Sequence, residues 1–267
     1  MNLPISQIFL SLIALSVLLA LSWLYLSRKQ QLGHVDLLWA MAIAGQAICY
    51  ASLADGWWAR RLMVALVASI WAFRLGFHLA KRLGRDGEDG RYLAMEAAAG
   101  VRAPIFFFGF FQLQALAAWL FAIPFVTLVQ DVEPGWRTWE VVALVLWLVS
   151  LFGNGLADRQ LDRWRSNPIH RGKTCRAGLW NWSRHPNYFF EWLLWCAYPV
   201  AAIGTPYLLI NIGIAALMLV MVTKVSGIPF TEKQALRSRG DDYRAYQKST
   251  SSFFLLPPSH VTDHPSS

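Results

Sequence analysis

Charged residues are scarce in this chain, since 15% of its 267 residues are Asp, Glu, Lys or Arg against 56% hydrophobic residues. Its three cysteines, Cys49, Cys175 and Cys196, form an odd set without metal-site spacing, which argues against a disulfide framework and a metal site. No glycine-rich phosphate loop follows a strand pattern. The period-two alternation of barrel strands is also missing. An α-helical membrane protein remains, because only helices and closed barrels satisfy every backbone group in lipid.

Seven long apolar runs approach the roughly 20 residues that cross a bilayer core. They cover residues 6–26, 35–54, 62–80, 104–129, 139–156, 188–203 and 207–225. We therefore predict an all-α, polytopic integral membrane protein with seven transmembrane helices and a single membrane domain over residues 1–267. Helices 1–3, in about 1–102, are expected on the substrate side. Helices 4–7, in about 103–267, are expected to carry cytoplasmic cofactor loops and a C-terminal lid.

The predicted membrane topology explains the net charge of +8. Basic residues concentrate in the loops after the first, third and fifth runs and in the tail, whereas Arg60, Arg61 and Arg137 fall on the other side. The positive-inside rule then predicts an outside N-terminus and a cytoplasmic C-terminus. Because topology explains the charge, we expect membrane lipids as partners and no nucleic acid.

Several ionisable or amide side chains lie inside or at the ends of apolar runs, where they are costly and mark candidate sites. They lie toward the predicted cytoplasmic ends of their helices, which lets separate helices build one polar pocket: Asp36, Arg74, Asn154, Asp158, Asn187 and Glu191. Other roles remain open. Asp36 is also suited to a helix N-cap, Arg74 to snorkelling toward headgroups, and Asp158 to balancing nearby arginines.

The loop from Asp158 to Trp182 is rich in arginines, including Arg165 and Arg171, and guanidinium groups bind phosphates bidentately. The next segment, RHPNY, contains Arg184, His185, Asn187 and Tyr188, with Pro186 suited to the first position of a new helix. Free N–H groups at a helix start favour an anion. We therefore predict the mouth of a pocket for a phosphate-bearing cofactor. The tail, with Tyr243, is expected to break at Gly240 and fold over this pocket.

Three stretches together resemble the bacterial membrane-protein branch of the steroid 5α-reductase superfamily, the 3-oxo-5α-steroid 4-dehydrogenase-like proteins. They are AGLWNWSRHPNYFFEWLLW, GEDGRY at 87–92 and DDYRAYQKSTSSFFLLPP. The resemblance extends over most of the chain from about Asp36 onward. It implies a seven-helix fold that holds NADPH from the cytoplasmic side and reduces carbon–carbon double bonds conjugated to a ketone. Isoprenylcysteine and phospholipid methyltransferases carry a similar RHPxY element.

By this resemblance, the acid that faces the substrate ketone falls on Asp36 and a helix arginine falls on Arg74. A tyrosine accompanies that acid in the steroid reductases, and the spacing places Trp71 there. We expect catalytic roles for these three residues, with a protonated Asp36 as the donor. The cofactor contacts implied by the family motifs are Asn154, Asp158, Arg165, Asn187 and Glu191.

The expected enzyme is thus an NADPH-dependent oxidoreductase of a bacterial inner membrane, with its cofactor site facing the cytoplasm. It acts on a hydrophobic small molecule, a steroid or a similar lipid, and a monomer is its simplest assembly. Two alternatives stay open: an S-adenosylmethionine-dependent methyltransferase that modifies a lipid or a prenylated thiol, and a non-catalytic sterol-binding membrane protein.

Overall fold

The computed structural model describes residues 4–86 and 90–259, with the backbone alone at residues 85 and 86. The first three residues of GEDGRY lie outside this range. Within it the chain has helices and turns and no strand, so the all-α prediction is confirmed for the described residues. Contacts divide the chain into two compact units, Met1–Trp136 and Arg137–Ser267.

The described part of the first unit contains six α-helices. They are α1 (Ile5–Lys29), α2 (Val35–Leu53), α3 (Trp58–Asp86), α4 (Gly90–Ala99), α5 (Ala103–Phe121) and α6 (Ile123–Val129). Short 3₁₀ turns, Leu32–His34 and Gly100–Arg102, precede α2 and α5. Helix α2 packs against α3 and α5, and α1 packs along α5. The α2 helix therefore lies inside this unit, which buries its polar residues Gln46 and Tyr50.

The second unit contains α7 (Thr138–Ser166), α8 (Pro186–Ala201), α9 (Leu208–Val220) and α10 (Ile228–Ser249). A π-helical turn, Met221–Val225, joins α9 to the segment before α10, and two 3₁₀ turns lie between α7 and α8, Pro168–His170 and Gly178–Asn181. Helix α8 packs between α7 and α9. Gly153 permits this approach, because a β-carbon there would lie 2.4 Å from the ring of Phe190.

Within the described residues, six segments are long and apolar enough to cross a membrane: Ile5–Lys29, Leu32–Leu53, Trp58–Gly84, Gly90–Val129, Thr138–Ser166 and Leu208–Ser249. They are compatible with an integral membrane protein. The predicted sixth run also forms a helix, α8, but this helix has only 16 residues. At 1.5 Å per residue it is about 24 Å long, shorter than a bilayer core of about 30 Å. Seven spans and their orientation therefore remain a prediction.

The boundaries of α8 and α10 follow from local chemistry. Pro186 opens α8, where its missing N–H removes no helical hydrogen bond. Gly240 interrupts α10 with φ 51° and ψ −121°, a backbone conformation that a residue with a β-carbon rarely adopts. The predicted break at Gly240 is thus confirmed, and it redirects the end of α10.

Candidate functional site

Two amide–carboxylate pairs join α7 to α8 in the second unit. Asn154 donates from Nδ2 to Oε2 of Glu191 at 2.9 Å, and Asn187 donates from Nδ2 to Oδ1 of Asp158 at 3.3 Å. Asn154 and Asp158 lie four residues apart on α7, and Asn187 and Glu191 lie four residues apart on α8, so each helix presents its two residues on one face. The structure thus brings together four residues that the sequence singled out, and each carboxylate is held by a neutral donor.

The RHPNY segment forms the start of α8 and is largely buried. The N–H of His185 donates to Oγ of Ser183 at 3.1 Å, which fixes the turn before Pro186. The imidazole of His185 is 2% exposed and stacks on the ring of Tyr188, with 5.4 Å between centroids. Tyr188 also shares a 3.1 Å hydrogen bond with the hydroxyl of Thr231 on α10. His185 and Tyr188 are therefore held by neighbouring side chains.

Glu232 on α10 is the main partner of this segment. Its Oε1 accepts from Nε of Arg184 at 2.7 Å and lies 3.4 Å from both Nε2 of His185 and the hydroxyl of Tyr243. Its Oε2 accepts from the amide of Gln247 at 2.9 Å. The same guanidinium donates from Nη1 to the carbonyls of Gln247 and Thr250, at 3.1 and 2.6 Å. Arg184 thus anchors the tail.

The segment after α10 lies against the RHPNY segment through its backbone. The N–H of Arg184 donates to the carbonyl of Ser251 at 2.8 Å, and Oγ of Ser183 donates to the carbonyl of Phe253 at 2.8 Å. The hydroxyl of Tyr246 donates to the carbonyls of Trp180 and Ser183. The tail is therefore a folded part of this site, as its aromatic content predicts; its action as a lid remains a prediction.

Burial sets the ionisation of two groups outside the membrane-spanning segments. It lowers the pKa of His185 below the ordinary value of 6.5, although hydrogen bonding to Glu232 acts in the opposite direction. The imidazole is therefore neutral at pH 7. Burial also raises the pKa of Cys175, and the nearby charges of Arg165 and Arg239 offset only part of this effect. The thiol is thus uncharged and inert.

A donor that the sequence analysis did not assign lies buried near these residues. The Nε of Arg239 has no hydrogen-bond partner within the described residues. The guanidinium of Arg239 lies 4.9 Å from the ring centroid of Tyr243. The N–H of Thr174 donates to Asp242 at 2.6 Å. In the sequence, Arg239 follows Glu232 by seven residues, which places both on one face of α10, two turns apart. This spacing could have identified Arg239 as a candidate site residue.

Two predicted arginines occupy exposed positions. Arg165 lies in the last turn of α7, and Arg171 follows the Pro168–His170 turn. The ring of His170 stacks on Trp164 with 3.6 Å between centroids, which ties the turn to the helix end. The basic loop is therefore ordered by aromatic contact, and Arg171 extends into solvent.

Asp36 has two partners in the first unit, and both come from α4. Its Oδ1 accepts from the hydroxyl of Tyr92 at 2.7 Å and its Oδ2 from Nη2 of Arg91 at 2.8 Å. The protonated state expected of Asp36 stays a prediction. Tyr92, the last residue of GEDGRY, is a contact of Asp36 that the sequence analysis missed.

The other two expected catalytic residues lie on α3. Trp71 is 1% exposed and packs edge-to-face on Trp39, with ring centroids 6.0 Å apart. It supports α2 by aromatic packing, and the hydroxyl placed at Asp36 comes from α4. Arg74 lies three residues further along α3. Their catalytic roles stay predictions.

In the described residues these features define a helical protein suited to a membrane, with a buried phenol, Tyr92, beside a partly exposed Asp36, and a polar cluster around Glu232 and the start of α8. The chain belongs to the family described as "Protein of unknown function (DUF1295)", which matches residues 22–250. This family is associated with steroid 5α-reductase-like proteins. An uncharacterized protein of Schizosaccharomyces pombe is 29% identical over 220 residues, 73% of this chain and 63% of that relative. The chain thus spans less than two thirds of that relative's length. No solved structure matches the chain.

Proposed function

We propose that this protein reduces a carbon–carbon double bond conjugated to a ketone in a steroid or a similar lipid, with NADPH as the reductant. The observation that carries the proposal is the Tyr92–Asp36 pair. The hydroxyl of Tyr92, a residue that is 3% exposed, lies 2.7 Å from Oδ1 of Asp36. With a proton on Asp36, the acid donates to the phenol oxygen, and the single phenol O–H is left as a preorganised donor for a carbonyl oxygen. The association of the family with steroid 5α-reductase-like proteins supports the same chemistry.

Each residue of the pair has its own role in this proposal. Reduction of an enone at its β-carbon places negative charge on the carbonyl oxygen, and the hydroxyl of Tyr92 donates a hydrogen bond to it. The α-carbon then takes up a proton from water, which completes the saturated ketone. A protonated Asp36 donates to the phenol oxygen and so orients the phenol, and Arg91 holds the other oxygen of Asp36 at 2.8 Å. Asp36 is therefore assigned as a positioning residue and Tyr92 as the donor.

The second unit offers a donor set that fits a phosphate-bearing nucleotide. The Nε of Arg239, a buried donor with no partner among the described residues, is suited to a phosphate or ribose oxygen. Arg165 and Arg171 add exposed positive charge, and Asn187 presents an amide in the first turn of α8. When bound, NADPH supplies the hydride. S-adenosylmethionine carries no phosphate and a positive charge, so this donor set favours the reductase over the methyltransferase.

We also propose the orientation of the protein in its membrane. An outside N-terminus, a cytoplasmic C-terminus and a bacterial inner membrane place the basic loop of the second unit where NADPH is available. Reporter fusions at the two termini test this arrangement. A cytoplasmic signal from an N-terminal fusion would overturn the orientation.

The deciding experiment uses the detergent-purified protein with NADPH and a panel of 3-keto-4-ene steroids. We expect loss of NADPH absorbance and a product two mass units heavier. Tyr92→Phe should lower kcat at least about a hundredfold, by loss of a buried donor to the transition state, and leave NADPH binding unchanged. Tyr25→Phe, at an exposed tyrosine of α1, is the matched control. Methyl transfer from S-adenosylmethionine without NADPH binding would overturn the proposal.

A further inference from the structure

The segment after α10 forms a closed loop over residues 249–259. The N–H of Ser259 donates to the carbonyl of Ser249 at 2.8 Å, so the two ends of the loop meet. The sequence of the loop, STSSFFLLPPS, contains no charged residue. Its middle is apolar and partly uncovered, because Phe254 is 50% exposed and Leu256 is 52% exposed. The loop therefore has a polar base and an apolar tip.

Hydrogen bonds to the turn before α8 hold the loop in this shape. The carbonyl of Phe253 accepts from Oγ of Ser183 at 2.8 Å, and the N–H of Leu256 donates to the carbonyl of Trp182 at 3.0 Å. The next two residues are prolines, which carry no N–H. These bonds and the prolines reduce the number of unsatisfied backbone groups at the tip, which lowers the cost of placing it in lipid.

Aromatic contacts fix the level of the tip along the helices of the second unit. The rings of Phe253 and Phe254 lie 5.7 and 6.1 Å from the ring of Trp192 on α8. The indole N–H of Trp192 donates to the carbonyl of Ala215 on α9 at 3.2 Å. Lys224, the first charged residue after α9, follows Ala215 by nine residues, which is about 13 Å along a helix. The tip thus lies beside the apolar body of α9, below its charged end.

An exposed apolar tip at this level has the bilayer as its neighbour. Helix α9 belongs to Leu208–Ser249, a segment long and apolar enough to cross a membrane. Large apolar side chains that are exposed together mark an interaction surface, and lipid covers them without a protein partner. Trp182, at the base of the loop, is 45% exposed, and an indole is favoured at the level of the headgroups.

The outer face of α10 gives the contrast. Its exposed residues include Lys233, Arg237 and Lys248, which suit water. The loop that directly follows this charged face has no charge and ends in Phe254 and Leu256. The change from one composition to the other within a few residues is that of a chain that passes from water into a membrane interface.

We propose that the loop of residues 249–259 inserts its tip, Phe254 to Leu256, into the leaflet beside the start of α8, and that its partner is the acyl-chain region of the bilayer. Insertion holds the tail against the start of α8 from the lipid side, while Arg184 holds it from within the protein. The inference concerns attachment to the membrane and goes beyond the proposed reaction.

The test places an environment-sensitive label at the tip. In a background of Cys49→Ser, Cys175→Ala and Cys196→Ala, the full chain with Leu256→Cys is labelled with the fluorophore NBD and reconstituted into phosphatidylcholine nanodiscs. Lipids with a spin label near the top of the acyl chain quench NBD from within the bilayer, and iodide quenches it from water. We expect the spin-labelled lipid to lower the emission at least about twofold, because an inserted apolar tip lies about 5–10 Å into the boundary of headgroups and acyl chains. Iodide should leave the emission nearly unchanged.

Two further labels complete the design. Phe254→Cys reports on the tip from a second position, so the result does not depend on one variant. Ala245→Cys, at an exposed position of α10, is the matched control. Its label should show the reverse pattern, with quenching by iodide and little quenching by the spin-labelled lipid.

The inference fails unless the spin-labelled lipid quenches both tip labels more strongly than the control. Quenching of the tip labels by iodide would place the tip in water. Quenching by neither agent would place the tip against protein, such as a second copy of the chain, and would also overturn the inference. NADPH-dependent reduction by a protein whose tip lies in water would leave the proposed function standing alone. An inserted tip on a protein without that activity would do the reverse.

Discussion

Replacement of Glu232 by alanine should destabilise the second unit, because this carboxylate is a partner of four side chains at once. The partner most affected by the loss of Glu232 is Arg184. Its Nε donates to the carboxylate at 2.7 Å, and its side chain is only 11% exposed. Alanine would leave that guanidinium without an anionic partner. It would also remove the acceptor from the amide of Gln247 and the contact with His185.

The magnitude follows from the burial of the pair. Removing one member of a buried ion pair destabilises by about 3–5 kcal/mol, because the remaining charge stays desolvated. Glu232 is 17% exposed, so water reaches the pair and the lower value, about 3 kcal/mol, applies. For a chain of this size each kcal/mol lowers the Tm by roughly 2–4 °C, which gives a decrease of about 6–12 °C.

Cys175 provides the assay, since its thiol is 2% exposed and lies in the same unit. In a Cys49→Ser, Cys196→Ala background, a thiol-reactive fluorogenic dye reports the temperature at which this cysteine becomes accessible. The matched control is Asp241→Ala on the same helix. Asp241 forms an ion pair with Arg244, and the two side chains are 94% and 65% exposed, respectively. We expect the control to unfold within about 2 °C of the background. A Glu232→Ala decrease no larger than that of the control would refute the reasoning.

Three further outcomes are expected. Asn187→Ala should weaken NADPH binding about tenfold by loss of one buried hydrogen bond, and an unchanged Kd in equilibrium dialysis would contradict this. Burial holds the folded pKa of His185 below its unfolded value near 6.5, so stability is complete above pH 6.5 and falls as the pH drops below it. Wild type should therefore lose more Tm than His185→Gln between pH 7.5 and 5.5; parallel losses would refute this assignment. Because burial raises the pKa of Cys175, iodoacetamide should label it far more slowly in the native protein than after unfolding in denaturant, as followed by mass spectrometry. Equal labelling rates would contradict that burial.

Features that depend on local chemistry were predictable from the sequence. Pro186 opens α8, Gly240 interrupts α10, and the four-residue spacings of Asn154 with Asp158 and of Asn187 with Glu191 place each pair on one helix face. The apolar runs likewise predict the helices, because hydropathy and the 3.6-residue period are local properties. What the spacing could not supply was the partner of each polar residue across helices.

The partner of Asp36 illustrates this gap. Position along the chain suggested Trp71, whereas the hydroxyl at 2.7 Å belongs to Tyr92, 56 residues from Asp36. Which turn of one helix faces which turn of another depends on side-chain packing, here including the edge-to-face contact of Trp71 with Trp39. Sequence spacing carries no such information. The GEDGRY stretch was noticed for its resemblance, but nothing local connected its tyrosine to α2.

The RHPNY segment shows why a shared motif does not identify a cofactor. Arg184 uses Nε for Glu232 and Nη1 for carbonyls of the tail, and the hydroxyl of Tyr188 contacts Thr231. These contacts join the start of α8 to α10 and the tail. Such a junction would serve a reductase and a methyltransferase equally well. The proposal of a phosphate-bearing cofactor therefore rests on a donor outside the motif, the unpartnered Nε of Arg239. Substitution of Arg239, more than of Arg184, tests the choice between the two proposals.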